Sequence, residues 1–115
     1  MSQLKALTDR IVAFRDERDW QQFHNAKDLA LSLSLEAGEV MELFQWKNGP
    51  EIDAVVRERN AALADELADV LYYTLLMAHD AGIDLEPALL AKLQRNAEKY
   101  PVEKAKGSSK KYTEL

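Results

Sequence analysis

Two acidic pairs at helical spacing carry the clearest chemistry in this sequence. Glu36 and Glu39 stand three residues apart, and so do Glu66 and Asp69. Because an α-helix turns by about 100° per residue, the two members of a pair point in directions about 60° apart. Each pair therefore shares a helix face and offers its carboxylates to a common partner.

The residues around each pair predict that this face points into the protein. Counting in both directions from Glu36, the residues at helical spacing are Leu29, Leu33, Val40 and Leu43. The same count from Glu66 finds Leu63, Val70, Tyr73 and Met77. This spacing is typical of the apolar side of an amphipathic helix. Two helices therefore place carboxylates where core leucines are expected.

Four inward-facing carboxylates need a positive partner. Burying an unpaired carboxylate costs on the order of several kcal/mol, and neighbouring carboxylates also repel one another. Hard divalent cations take oxygen ligands, and Mg²⁺ is commonly held by carboxylates together with substrate phosphates. The sequence thus predicts a metal site inside a helical bundle. The alternative is that one of the two pairs lies on a solvated helix face. Glu42 points about 120° away from Glu36 around the helix and has at most a flanking role.

Composition narrows the classes of function. The 115 residues contain no cysteine and two histidines, which excludes disulfides and thiolate-held zinc and argues against a histidine-rich metal site. A formal charge of -5 argues against binding to a nucleic-acid polymer. No apolar run has the length of a membrane span and no secretory signal is recognisable. We expect one domain, residues 1–115, in the cytoplasm.

Apolar periodicity predicts an all-α fold, an antiparallel four-helix bundle. The predicted helices cover residues 4–18, 26–46, 61–80 and 84–99, and residues 51–59 form either a short helix or an extension of the third. Asn25 or Asp28 is expected to cap the second helix, Asn60 the third, and Gly82 to end the third in a left-handed conformation. From about residue 101 a lysine-rich tail is expected to be flexible.

Aromatic and basic residues offer a second set of contacts. Aromatic side chains can stack on a base, although core packing is the alternative; the candidates are Trp20, His24, Trp46 and Tyr73. For His24, a cap or a local hydrogen bond within the protein is as good an interpretation as contact with a ligand. Lys92, Asn96 and Lys99 share a side of the fourth helix and can reach one anion, with plain solvation as the alternative. The tail is either a solubilising end or a flap that closes on a polyphosphate.

The acidic pairs together with several other blocks resemble the MazG-like, all-α nucleoside triphosphate pyrophosphohydrolases. The acidic signature is accompanied by blocks similar to the dCTP pyrophosphatase branch, namely Arg18-Asp19-Trp20-x-x-Phe23-His24, Glu42-Leu43-Phe44-Gln45-Trp46-Lys47, Lys99-Tyr100-Pro101-Val102 and Lys111-Tyr112-Thr113. The resemblance covers nearly the whole chain. One departure is Ile11, which stands where a close relative carries a histidine, so a base or sugar contact on the first helix is not carried over.

The resemblance implies hydrolysis of a deoxynucleoside triphosphate, dCTP or a modified dCTP, to the monophosphate and pyrophosphate. The cofactor would be Mg²⁺, with Mn²⁺ as a substitute. The metal-binding and catalytic residues would be Glu36, Glu39, Glu66 and Asp69. The substrate-binding residues would be Trp20, His24, Trp46, Tyr73, Lys92, Asn96, Lys99, Lys111 and Tyr112. The family also implies a homodimer or homotetramer.

Two other functions fit the same residues. One is a non-catalytic helical bundle that binds nucleotides or a partner protein through the same cleft. The other is an enzyme of the same type with a broad preference for triphosphates, which would differ only in the details of its pocket. Product formation separates the first from an enzyme, and a panel of triphosphates separates the second.

Overall fold

The computed structural model describes residues 2–115, and none of these residues lies in a β-strand. The helices are α1 (Gln3–Glu17), α2 (Ala26–Glu42), α3 (Pro50–Glu58), α4 (Asn60–Asp80), α5 (Leu85–Lys99) and α6 (Val102–Ala105). Single 3-10 turns occupy Gln21–Phe23 and Tyr112–Glu114. The prediction of an all-α fold is confirmed.

Local capping explains where several helices begin and end. The side chain of Asn25 accepts a 2.8 Å hydrogen bond from the amide of Asp28, which identifies Asn25 as the cap of α2. Gly82 follows α4 with φ 69°, the left-handed stop expected there. Asn60 behaves differently from the prediction, because its side chain donates to the carbonyl of Val56, 3.1 Å away. It therefore satisfies the end of α3 rather than capping α4.

The second helix is shorter than its sequence pattern predicted. It ends at Glu42 instead of Trp46, because the following amides bond three residues back, Phe44 to Met41 and Lys47 to Phe44. Trp46 has φ 68°, a left-handed conformation that an α-helix excludes. The segment that was ambiguous in the sequence forms a separate helix, α3, with Pro50 at its first position.

The chain divides into two compact units, Met1–Gly82 and Ile83–Leu115. In the first unit, α4 packs against α1, α2 and α3. Helix α2 runs antiparallel to α4, because Leu29 lines a cavity with Met77 while Glu36, two turns later, meets Asp69. The buried apolar side chains are Leu29, Leu43, Val55, Leu75, Leu76 and Ala78.

The second unit contains α5, α6 and the final 3-10 turn. The rings of Tyr100 and Tyr112 meet edge to face at 5.9 Å, and the ammonium group of Lys99 lies 4.9 Å from the centre of the Tyr112 ring. The tail thus folds back on the end of α5. The single domain, the four-helix arrangement and the flexibility of the tail remain predictions. No helix within residues 2–115 has the length and apolarity needed to cross a membrane.

Candidate functional site

The four predicted carboxylates come together between α2 and α4. Glu36, Glu39, Glu66 and Asp69 each place an oxygen within 4.8 Å of the others. Glu36 and Glu66 are half-buried, whereas Glu39 and Asp69 are exposed. One oxygen of Glu36 and one of Glu66 are fully buried, and no described residue donates a hydrogen bond to them. The cluster is therefore made of closely spaced oxygen acceptors that lack donors.

The crowding of the carboxylates changes their affinity for protons. Interaction with the side chain of Glu39, together with burial and the charges of Glu39, Asp69 and Glu36, raises the pKa of Glu66 to about 7. Burial is the main reason that the pKa of Glu36 is also raised, and Glu39 and Asp69 add to it. In the absence of another cation, protons relieve part of the repulsion in the cluster. A divalent cation offers the same relief with greater charge.

A cavity of about 490 Å³ adjoins the acidic cluster. Glu36 and Asp69 form part of its wall, which connects the carboxylates directly to the cavity. The rest of the wall comes from α1, the segment after α1, and α4, with the residues Leu7, Arg10, Ile11, Phe14, Trp20, Tyr72 and Tyr73. Its volume lies within the range of about 300–1,000 Å³ that is usual for small-molecule sites.

The aromatic part of the wall is a continuous series of rings. Phe14 meets Trp20 at 5.9 Å and Tyr72 at 6.4 Å, and Tyr72 meets Tyr73 at 5.0 Å, all edge to face. Burial is the main cause of a raised pKa for Tyr72, so its hydroxyl keeps its proton at neutral pH. The series therefore offers flat apolar surfaces and a hydroxyl donor beside the carboxylates.

The end of α1 determines where Trp20 lies. Asp19 takes a left-handed conformation with φ 55°, its amide donates to the carbonyl of Asp16, and the amide of Trp20 donates to the carbonyl of Arg15. This is the Schellman arrangement, which commonly brings the residue after the turn against the last turn of the helix. Trp20 accordingly packs on Phe14.

A second cavity, of about 360 Å³, lies where α2 begins and α4 ends. His24 and Asp80 line it, and Asp80 accepts two 2.8 Å hydrogen bonds from Arg15, which is 1% exposed. Nδ1 of His24 lies 3.4 Å from the Arg15 guanidinium. Of the predicted substrate contacts, His24 is thus found beside this ion pair and outside the wall of the aromatic cavity.

Trp46 lies outside the wall of the aromatic cavity as well. Trp46 is 85% exposed in the turn after α2. The other predicted contacts belong to the second compact unit; they are Lys92, Asn96, Lys99, Lys111 and Tyr112. Within that unit, the ammonium group of Lys99 contacts the ring of Tyr112, and Asn96 is half-buried.

Several residues of the cavity wall were missed in the sequence. Leu7 and Phe14 belong to the apolar stripe of α1, which on sequence grounds is ordinary core, and Arg10 and Tyr72 carry no motif. Ile11, in the same stripe, was singled out only as a departure from the resemblance. Nothing in the sequence separates this stripe from ordinary core; only in the structure is Phe14 found 42% exposed. The pairing of Arg15 with Asp80 left no trace in local sequence.

Comparisons with known proteins identify the family of this chain. The MazG-like family model matches residues 31–115. This chain is 48% identical to dCTP pyrophosphatase 1 of Homo sapiens and 44% identical to dCTP pyrophosphatase 1 of Mus musculus; each comparison covers 89% of this chain. A pyrophosphatase from Archaeoglobus fulgidus, known from a crystal structure, superimposes with a TM-score of 0.84 at 36% identity, covering 88% of this chain and 94% of that chain.

The comparisons differ in how much of each relative they cover. The chain spans 61% of the length of the human and mouse relatives, but nearly all of the archaeal structure. The family match includes all four clustered carboxylates, because residues 31–115 contain both α2 and α4 acidic pairs. This chain belongs to the MazG-like family.

Proposed function

We propose that this chain hydrolyses a deoxynucleoside triphosphate to the monophosphate and pyrophosphate, with dCTP or a modified dCTP as substrate. The observation that carries the proposal is the opening of a four-carboxylate cluster onto an aromatic cavity through Glu36 and Asp69. The names of the human and mouse relatives favour the cytosine base.

The donor set fits Mg²⁺, with Mn²⁺ as a substitute. All four groups supply carboxylate oxygen, and the buried oxygens of Glu36 and Glu66 have no donor among the described residues. Hard divalent cations prefer such ligands, and Mg²⁺ usually leaves positions for water and substrate phosphates. When bound, the ion would neutralise the polyphosphate and polarise a phosphoryl oxygen.

Different parts of the cavity wall then bind the nucleoside and the triphosphate. Phe14, Trp20 and Tyr73 receive the nucleoside against their rings, which places the triphosphate toward Glu36 and Asp69 at the other part of the wall. A carboxylate of the cluster orients or deprotonates the attacking water. The water's oxygen forms a new bond to phosphorus as the phosphoanhydride linkage between the α- and β-phosphates breaks, which releases pyrophosphate and leaves the nucleoside monophosphate in the aromatic cavity. The further substrate contacts that we propose from the resemblance are His24, Trp46, Lys92, Asn96, Lys99, Lys111 and Tyr112.

Release of pyrophosphate from dCTP tests this function. We expect turnover with Mg²⁺ and none with EDTA, because without a cation the carboxylates repel the triphosphate. A parallel panel of the common and base-modified triphosphates ranks the bases. Equal rates with Mg²⁺ and EDTA would contradict metal-dependent hydrolysis, whereas binding of a non-hydrolysable analogue without product from dCTP would identify a nucleotide-binding protein.

We also propose that the chain assembles as a homodimer or homotetramer. Large apolar side chains on the outside of α2 support this, since Leu35 is 70% and Met41 71% exposed. On α5, Leu89, Leu90 and Leu93 are each more than half exposed. Clusters of exposed apolar side chains are typical of surfaces that bind another protein.

A further inference from the structure

We propose that Arg10 is a substrate-binding residue that contacts the polyphosphate chain, a role that rests on the proposed function. Among the nine residues that form the wall of the aromatic cavity, Arg10 is the sole basic one. The wall also contains the carboxylates of Glu36 and Asp69. These carboxylates repel a polyanion that enters beside them, and a cationic side chain in the same wall reduces that repulsion.

The position of Arg10 on α1 explains why it reaches the cavity. Leu7 precedes it by three residues and Phe14 follows by four, so the three side chains lie on neighbouring turns of one helix face. Ile11, the next residue, also lines the cavity. Arg10 is therefore directed to the cavity by the same helical face that supplies the apolar wall.

The ionic contacts of α1 leave Arg10 available. Lys5 is paired with Asp9, and Arg15 is paired with Asp80. Arg18 lies 3.7 Å from the centre of the Phe14 ring and donates to the Phe14 carbonyl. Among the described residues, no carboxylate lies within 4.0 Å of the Arg10 guanidinium. An arginine that lines a cavity without an acidic partner matches the planar, two-donor recognition of a phosphate group.

Replacement of Arg10 by glutamine tests the proposal. One lost hydrogen bond to a charged group predicts a rise in KM for the triphosphate of about ten- to hundredfold. R10K keeps the charge but loses the fork, so its KM should lie between those of R10Q and the wild type. The matched control is R57Q, which removes an exposed arginine on α3, away from the cavity.

Product inhibition identifies the part of the substrate that Arg10 contacts. Pyrophosphate lacks a nucleoside, so its inhibition constant should rise in R10Q by a factor similar to the rise in KM, whereas that of the nucleoside monophosphate should stay unchanged. The reverse pattern would place Arg10 on the nucleoside and overturn the proposal. So would equal KM values for R10Q and R57Q in a preparation whose wild type is active. An inactive wild type would instead overturn the proposed function itself.

Discussion

Glu36 occupies the most demanding position in the acidic cluster. One of its oxygens is buried without a donor, and the carboxylates of Glu39 and Asp69 add to the rise in its pKa. For stability alone, a leucine would suit this position better than a carboxylate, because Leu29 and Leu43, seven residues to either side on the same helix face, are buried. The residue therefore costs stability in the metal-free protein, a cost that the proposed cation would offset.

Replacement of Glu36 by glutamine should separate function from folding. It removes one negative charge at nearly constant shape, so we expect pyrophosphate release from dCTP to fall by at least about 100-fold. In EDTA, the free energy of unfolding should stay equal or rise, because repulsion among the carboxylates decreases. Asp69→Asn should behave alike. Activity assays and urea denaturation measure the two effects.

The control for this experiment is Glu42→Gln. Glu42 lies at the end of α2, is exposed and is not one of the clustered carboxylates. Its replacement should leave both turnover and the free energy of unfolding in EDTA close to the wild-type values. Wild-type turnover in Glu36→Gln would remove that residue from the metal site.

At the scale of elements, α1 and α4 are joined by an ion pair in which the arginine is buried and the side chain of the aspartate is 30% exposed. Arg15, near the end of α1, is 1% exposed and donates two hydrogen bonds to Asp80, the last residue of α4. The same α1 carries Phe14 and Arg10, and the same α4 carries Asp69, Tyr72 and Tyr73. The ion pair therefore fixes the relative positions of the two helices that form most of the cavity wall.

Loss of this pair should be strongly destabilising. In Asp80→Asn the buried guanidinium keeps its charge without a counter-charge, and we expect the free energy of unfolding to fall by about 2–3 kcal/mol at pH 7. Asp9→Asn is the control, because it breaks the exposed pair with Lys5 and should cost less than about 0.5 kcal/mol. Urea denaturation of both variants measures the difference.

The loss of unfolding free energy in Asp80→Asn should also depend on pH. Hydrogen bonds from Arg15 are the main reason that the pKa of Asp80 lies below its ordinary value of 3.8. A lowered pKa in the folded state means that the stabilisation is complete above the ordinary value and is lost as the pH falls through the lowered one. The stability gap between wild type and Asp80→Asn should therefore narrow below pH 3.8. A gap that is constant down to pH 2 would contradict this assignment.

At the scale of the whole molecule, the extent of burial is small for the length of the chain. Only six apolar side chains are buried within the described residues, although 47% of the sequence is hydrophobic. Exposed apolar residues on both α2 and α5 leave much of the potential core uncovered. Association with further copies would cover such surface, and closed homo-oligomers are the most common way that proteins do so.

Light scattering during size exclusion should therefore give a mass of two or four times the 13.0 kDa chain. Because unfolding is then coupled to dissociation, the thermal midpoint should rise with protein concentration. Met41→Asp, which places a charge on the exposed side of α2, should shift the assembly toward smaller species. A mass of one chain at all concentrations, with a constant midpoint, would contradict the proposed assembly.

The sequence alone determined the local features of this protein. Helical spacing predicted that the four carboxylates share inward faces; their oxygens do meet within 4.8 Å, but only Glu36 and Glu66 are half-buried, and Glu39 and Asp69 are exposed. Asn25 and Gly82 predicted the start of α2 and the end of α4, because capping and a left-handed glycine act over a few residues. The end of α2 at Glu42 was missed, because the four residues after it are compatible with a helix in their local sequence. The turn that leads the chain into α3 is what ends the helix there.

The tertiary structure alone decided which residues surround the site. Arg15 and Asp80 are 65 residues apart in sequence, and their pairing depends on how α1 lies against α4. The stripe of α1 that contains Phe14 looks like core in the sequence, yet it lines a cavity with Tyr72 and Asp69. Periodicity reports which side of a helix is apolar, but the packing of the helices determines whether that side meets another side chain or an open cavity.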